Sequence, residues 1–195
     1  MQPDVIPPRL TSRREPLELR WRGQLPRRTL QAPTGPVRGR HGFPPPPWLD
    51  TGPINQPFDF TGRVQRLLGD ISRRCEIFAH LRVPEILVSA LQARNGQAHG
   101  LQARVTPLRF AQGQLRRRRR GVAYQVQRFY LDEQEFLYLL TFCLPRFLNQ
   151  DFDDKLVTIF HELYHISPRF DGDLRRHQGR CHLHTHSQKK YDHHM

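Results

Sequence analysis

The sequence predicts an α+β domain in which a short, mainly antiparallel sheet packs on helices and follows a disordered arm. Two segments, starting near Thr61 and near Asp153, carry apolar residues at the spacing of a helix that buries one side. Three shorter segments between them alternate or concentrate apolar residues as strands do. Thirteen of the 17 prolines precede all of these segments, in residues 1–57.

Residues 1–57 are expected to form a disordered or extended arm, and residues 58–195 the folded domain. Nine arginines accompany the prolines, and apolar residues are so few that burial cannot repay the entropy lost on ordering. The arm either binds nucleic acid or another partner, or is a tolerated low-complexity segment. Four aromatic residues are candidates for docking on the domain: Trp21, Phe43, Trp48 and Phe58.

The domain is predicted to begin with a helix that Thr61 caps, followed by two strands. The first strand is expected in Glu85–Ala93, and Asn95-Gly96 marks a turn after it. Leu101–Val105 alternates apolar and polar residues, as a half-buried strand does. The apolar residues at helical spacing after Thr61 are Val64, Leu67, Leu68, Ile71, Cys75 and Phe78.

An arginine run is expected at a hairpin tip before a third strand. Arg116–Arg120 is too charged to bury, whereas Val122, Tyr124 and Val126 alternate like a half-buried strand. The five arginines are therefore a solvated tip, or a contact to the phosphate backbone of a nucleic acid.

A buried apolar segment follows this third strand. Asp132 with Glu135 resembles a capping box, and Phe136–Leu148 is apolar enough to be a buried helix or strand. Pro145 limits how far a helix could run there.

The second predicted helix has one apolar side and ends near a proline. Asp153 or Asp154 can cap its start, and Pro168 disfavours helical geometry at Ser167, about one turn past His165. The apolar side is formed by Leu156, Ile159, Phe160, Leu163 and Ile166.

This helix carries the motif H-E-x-x-H at residues 161–165. His161 and His165 are four residues apart, so both imidazoles can reach one metal ion from the same side of a helix. Glu162 lies where its carboxylate could take a proton from a metal-bound water. The alternative is an amphipathic helix with two half-exposed histidines that bind nothing.

A catalytic zinc site needs a third protein ligand. No glutamate follows Glu162, which excludes a downstream glutamate. His184 is favoured, then Asp171, then His182, although these residues could also be a surface tail with incidental metal affinity. The full set of candidates is Asp171, His177, Cys181, His182, His184 and His186.

A family resemblance rests on the run H-E-L-Y-H-I-S-P-R-F-D-G-D-L-R-R at residues 161–176 and on its continuation to Tyr191-Asp192. The run resembles the phage-type metallopeptidase family, zincin-like proteins of bacteria and phages. It is more distantly similar to SprT-like proteases, whose third histidine also lies well downstream of H-E-x-x-H. The resemblance is strongest over residues 140–192 and does not reach the arm. It implies a small zincin-like domain, a bound zinc ion, peptidase activity and His184, before the small Thr185, as third ligand.

The sequence thus predicts a zinc-dependent endopeptidase that acts on a protein or peptide substrate. Zinc would be held by His161, His165 and His184, with Glu162 as general base. Tyr191 is the preferred donor to the tetrahedral intermediate, with His186 and Arg180 as alternatives. Residues 101–108 could align a substrate by edge pairing. The competing classes are a basic nucleic-acid-binding protein with a structural zinc that Cys181 helps to hold, and an inactive zincin-like binding module.

Charge and cysteine content bound the setting. The 31 Lys and Arg against 18 Asp and Glu give a net charge of +13, which makes nucleic acid a candidate partner through the arginine-rich segments. Three widely spaced cysteines fit a reducing compartment. No apolar run is long enough to span a membrane and no secretory signal is evident, so a cytoplasmic location is expected.

Overall fold

A computed structural model of the chain describes residues 5–6 (backbone only), 17–30, 57–97 and 99–176. These residues form two helices and short sheets, which confirms the α+β class. In chain order the elements are β1 (Val5–Ile6), β2 (Glu18–Trp21), β3 (Thr29–Leu30), β4 (Phe58–Asp59), α1 (Phe60–Arg74), β5 (Ile86–Gln92), β6 (Ala103–Pro107), β7 (Arg116–Arg119), β8 (Val122–Gln125), β9 (Arg128–Leu131), β10 (Gln134–Phe136), β11 (Tyr138–Leu144) and α2 (Phe152–Tyr164).

Helix α1 begins two residues before the predicted cap. Oδ1 of Asp59, not the Thr61 side chain, accepts the hydrogen bond from the Gly62 amide at 2.9 Å. The Thr61 hydroxyl donates to Asp59 instead. The helix ends at Arg74, so the predicted apolar position at Phe78 belongs to a separate 3₁₀ turn.

A three-stranded sheet with β11 at its centre forms the middle of the domain. β11 runs parallel to β5 and antiparallel to β6, with Leu140 opposite Val88 on one side and Val105 on the other. The apolar segment 136–148 is therefore a strand where the sequence allowed a helix or a strand. Of the seven strand pairings in the described residues, five are antiparallel and two are parallel.

Both helices cover the same face of this sheet. α1 packs beside β5 and α2 beside β6. The main core lies between them and is closed by side chains from all of these elements, including Val64, Leu68, Ile71, Ile86, Val105, Tyr138, Leu140, Phe142, Ile159 and Leu163. Burying this apolar surface is the main stabilising term for the helices.

The opposite face carries a smaller apolar cluster that uses part of the segment predicted to be an arm. β2 pairs in parallel with β9, inside a four-stranded sheet of order β1-β2-β9-β10. Trp21 on β2 is buried with Leu87, Leu108 and Phe136. Residues 18–21 thus belong to the folded part of the chain, and Trp21 docks as expected. Phe43 and Trp48 lie outside the described residues.

The predicted capping box at Asp132 and Glu135 is wrong. Asp132 lies in the tight turn between β9 and β10, with a φ of 51°, a conformation that aspartate tolerates better than most residues. Glu135 lies in β10, where it accepts hydrogen bonds from Arg128 of β9.

The arginine run is a strand and not a hairpin tip. Arg116–Arg119 pairs with Val122–Gln125, and Arg120-Gly121, both with positive φ, make the turn. Every residue of both strands is exposed, so the third predicted strand exists but is not half-buried. Neither helix in the described part of the chain has the length and apolar character to cross a bilayer.

Candidate metal centre

Helix α2 presents its apolar side to the core as predicted, but its ends differ. Asp151 occupies the N-cap position, while Asp153 and Asp154 lie in the first turn, where carboxylates favour the helix dipole. The helix ends at Tyr164 with His165 as C-cap, about one turn earlier than predicted. The residues that are fully enclosed on its apolar side and just after it are Ile159, Leu163 and Ile166.

The two histidines of the motif converge at the end of this helix. Nε2 of His161 lies 3.0 Å from Nε2 of His165, and the rings are nearly perpendicular. His165 is buried and His161 is half-buried. Two nitrogens bound to one zinc ion at about 2.0–2.1 Å in tetrahedral geometry would lie about 3.3 Å apart, close to this separation.

Glu162 completes the cluster from the side of the sheet. Its carboxylate and the two imidazole nitrogens lie within 4.8 Å of one another, so these three residues could hold a metal ion. Its Oε2 accepts a 2.7 Å hydrogen bond from the amide of Val105 on β6. Burial raises the pKa of Glu162 to about 7, although the Val105 amide and the nearby charge of Arg104 oppose that rise.

A tight return turn follows the helix. Ser167 and Pro168 lead the chain into a reversal, after which the Ser167 amide donates to Asp173 and the Arg175 amide donates to the carbonyl of His165. Phe170 and Gly172 have positive φ within this turn. Residue 176, the last described one, therefore lies beside the C-terminal end of α2, at the side of the histidine pair.

The return turn is fixed to the sheet behind it. The Tyr138 hydroxyl donates to the carbonyl of Asp173 and accepts from the Gly172 amide. A side chain at Gly172 would collide with Arg109, since an added Cβ would lie 2.4 Å from its Cγ. The close approach and the positive φ of 82° together require glycine there.

Asp171 is the only described residue among the proposed third ligands, and it faces another partner. Its Oδ1 accepts a hydrogen bond from the Asp173 amide, as in an Asx turn. Within the described residues it is not part of the group that gathers around His161 and His165. The other proposed residues, His177, Arg180, Cys181, His182, His184, His186 and Tyr191, lie outside the described residues.

Two contacts of the site were not predicted from sequence. The Arg175 guanidinium donates to the Tyr164 carbonyl and stacks over the Tyr164 ring, so a positive charge meets the C-terminal end of α2. The Val105 amide binds the motif glutamate across 57 residues of sequence. Neither contact follows a local spacing, so no sequence pattern could have indicated it.

Comparisons with known proteins give no relative for this chain. No protein-family model matches it, and neither a curated protein nor a solved structure does. The interpretation of the site therefore depends on its own geometry.

Proposed function

We propose that the protein is a zinc-dependent metallopeptidase whose general base is Glu162. The observation that carries the proposal is the 3.0 Å approach of the two Nε2 atoms of His161 and His165 beside the Glu162 carboxylate. Two imidazoles that meet edge to face at the end of one helix form half of a tetrahedral donor set. The family resemblance of residues 161–176 supports the same function.

The donor set suits zinc. Two neutral imidazoles are ligands that zinc prefers, and a third imidazole would complete the usual catalytic set with one position left for water. His184 is our choice for that third ligand. It lies nine residues after Arg175, whose amide is hydrogen-bonded to the carbonyl of His165, so the covalent chain is long enough to return to the site.

Glu162 has the properties of a general base at neutral pH. When bound, a zinc ion would supply Lewis-acid activation of a water and of the scissile carbonyl. The Glu162 carboxylate, with a pKa raised to about 7, can accept a proton from that water and return it to the leaving amine. Oε2 is held by Val105, which leaves Oε1 to face the reacting group. Tyr191 is the proposed donor to the developing oxyanion.

The edge of the central sheet offers a place for the substrate backbone. The Leu108 amide donates to Leu137 and the Cys143 amide to Gln102, so in this antiparallel ladder Ala103 and Val105 direct their backbone groups away from β11. Within the described residues β6 is an outer strand of that sheet. An extended peptide that paired with β6 would pass directly beside Glu162.

The decisive experiment compares Glu162→Gln with the wild type on a proteome-derived peptide library. Zinc content is measured by mass spectrometry, and new peptide termini are counted. The variant should keep its zinc and lose cleavage by about 10²–10⁴-fold. Glu133→Gln, at a side chain that is 98% exposed, is the matched control and should cleave like the wild type. Full cleavage by Glu162→Gln would refute the mechanism, and stoichiometric zinc without any cleavage would indicate a structural zinc site.

A further inference from the structure

The hairpin of β7 and β8, here called the arginine hairpin, is a charged surface that the proposed peptidase function does not use. Four consecutive arginines, Arg116–Arg119, form one strand, and Arg120 follows in the turn. All eight residues of the two strands are exposed. A two-stranded ribbon of this kind has little stability of its own, and neighbouring like charges reduce that stability further.

These arginines differ from the other arginines that the structure describes. Arg82, Arg109, Arg128 and Arg176 each pair with a carboxylate and hold parts of the fold together. Within the described residues, no ion pair joins Arg116–Arg119 to a carboxylate. Their charge therefore has no counterpart in the described part of the chain, and an external polyanion would supply one.

The two faces of the arginine hairpin are not equivalent. Residues opposite each other in an antiparallel pair point to the same side, so Arg117 and Arg119 share a face with Tyr124 and Val122. The other face carries Arg116 and Arg118 with the small or polar Ala123 and Gln125. Tyr124 is 49% exposed and Val122 53%, so one face combines two guanidinium groups with an exposed aromatic ring.

We propose that this face binds single-stranded nucleic acid, with Arg117 and Arg119 on phosphates and Tyr124 stacked on a base. Guanidinium groups bind phosphate oxygens in a bidentate manner, and alternate residues of a strand lie about 6.7 Å apart, so the two can serve different phosphates. An exposed aromatic ring offers a stacking surface to any unpaired base, whereas duplex bases are already stacked. The proposal does not depend on zinc or on peptidase activity.

The test measures fluorescence anisotropy of a labelled single strand and of its duplex with the full-length protein over a range of NaCl concentrations. Arg117→Gln/Arg119→Gln should bind the single strand more weakly and lower the slope of log K against log salt by about 1.4, or about 0.7 per phosphate contact. Arg63→Gln/Arg66→Gln removes the same charge from exposed positions of α1 and should leave the slope unchanged. Arg117→Lys/Arg119→Lys keeps the charge and should keep the slope. Equal slopes for the two glutamine double variants would overturn the proposal.

The aromatic contribution is tested separately. Tyr124→Ala should weaken single-strand binding by about 5- to 100-fold, and Tyr124→Phe, which keeps the ring, should retain it. Tighter binding to the duplex that does not respond to Tyr124→Ala would overturn the single-strand assignment. Vesicles of equimolar phosphatidylcholine and phosphatidylserine provide the last comparison. If the arginine variants lost vesicle binding but kept nucleic-acid binding, the surface would be a membrane contact and the proposal would be wrong.

Discussion

The amide of Val105 donates a 2.7 Å hydrogen bond to Oε2 of Glu162, and this contact joins the outer strand of the central sheet to the helix that carries both histidines. The glutamate is thereby held at a fixed position relative to His161 and His165. It also marks where β6 passes the proposed metal site. The stability of the domain and the orientation of its proposed base thus depend on the same bond.

Removal of that bond should destabilise the protein measurably. Glu162→Ala leaves the Val105 amide without its carboxylate acceptor, whereas Glu162→Gln keeps an acceptor oxygen at the same place. In the presence of a chelator, we expect the alanine variant to be less stable than the glutamine variant by about 1–3 kcal/mol. Urea unfolding monitored by circular dichroism measures the difference. Equal stability of the two variants would mean that the bond contributes nothing in solution.

The orientation of α2 can be tested with one buried and one exposed residue. Leu163 is completely buried in the core, while Val157 on the same helix is 42% exposed. Leu163→Ala should cost about 2–5 kcal/mol of unfolding free energy, and Val157→Ala should change it by less than about 0.5 kcal/mol. Denaturant titration of both variants decides the point. If both lost the same stability, the helix would be rotated relative to the arrangement described.

The ion pairs around Glu135 predict a loss of stability in acid. Burial alone would raise the pKa of Glu135, but hydrogen bonds from Arg128 and Arg109 outweigh burial and hold the pKa below its usual value. The carboxylate therefore contributes stability above the pKa of the unfolded chain, and this contribution is lost as the pH falls through the lower pKa of the folded state. Glu135→Gln should flatten the fall in melting temperature between about pH 5 and pH 3. Glu133→Gln should follow the wild type, and a flattening in that control would remove the assignment to Glu135.

The docking of β2 can be followed through Trp21, one of two tryptophans in the chain. In a Trp48→Phe background, Trp21 emission should report a buried ring and should change together with the circular dichroism signal in one cooperative transition. Trp21→Ala should cost about 3–5 kcal/mol, because a large buried ring is removed. An emission change well before the main transition would show that residues 18–21 detach independently of the domain.

The third ligand can be assigned by zinc content after dialysis. His161→Ala should lose the metal, because one of the two converging nitrogens is removed. Asp171→Asn should retain it, since the Asp171 carboxylate is engaged with the Asp173 amide. His184→Ala should lose zinc if our choice of third ligand holds. Loss of zinc in Asp171→Asn with retention in His184→Ala would reverse that choice.

Local periodicity predicted the metal-site helix and its buried residues well. Ile159, Leu163 and Ile166 are enclosed as their spacing indicated, because an amphipathic helix buries one side whatever its neighbours are. The helix end was placed too late, since Pro168 gives only an outer limit and the chain turns as soon as the Arg175 amide bonds to His165. The Asp-x-x-Glu pattern at 132–135 fits both a capping box and a two-residue hairpin turn, and only the pairing with β9 decides between them.

Contacts between distant segments were beyond sequence reasoning. The parallel pairing of β5 with β11 and the bond from Val105 to Glu162 join residues that share no local pattern. The arginine run was correctly predicted to be exposed but was assigned to the tip. A strand with four charged residues in succession has no apolar alternation to reveal it, and its partner strand fixes its geometry.

The parallel pairing of β2 with β9 also determines an order of events during synthesis. Glu18 and its partner Arg128 are 110 residues apart, so closing that loop costs far more entropy than forming the β9–β10 hairpin across its two-residue turn. We expect the hairpin to form first and β2 to join an edge that already exists. Leu19 and Trp21 are made early yet remain uncovered until β9 has emerged from the ribosome, so the risk of aggregation on the ribosome should be concentrated in that short apolar strand.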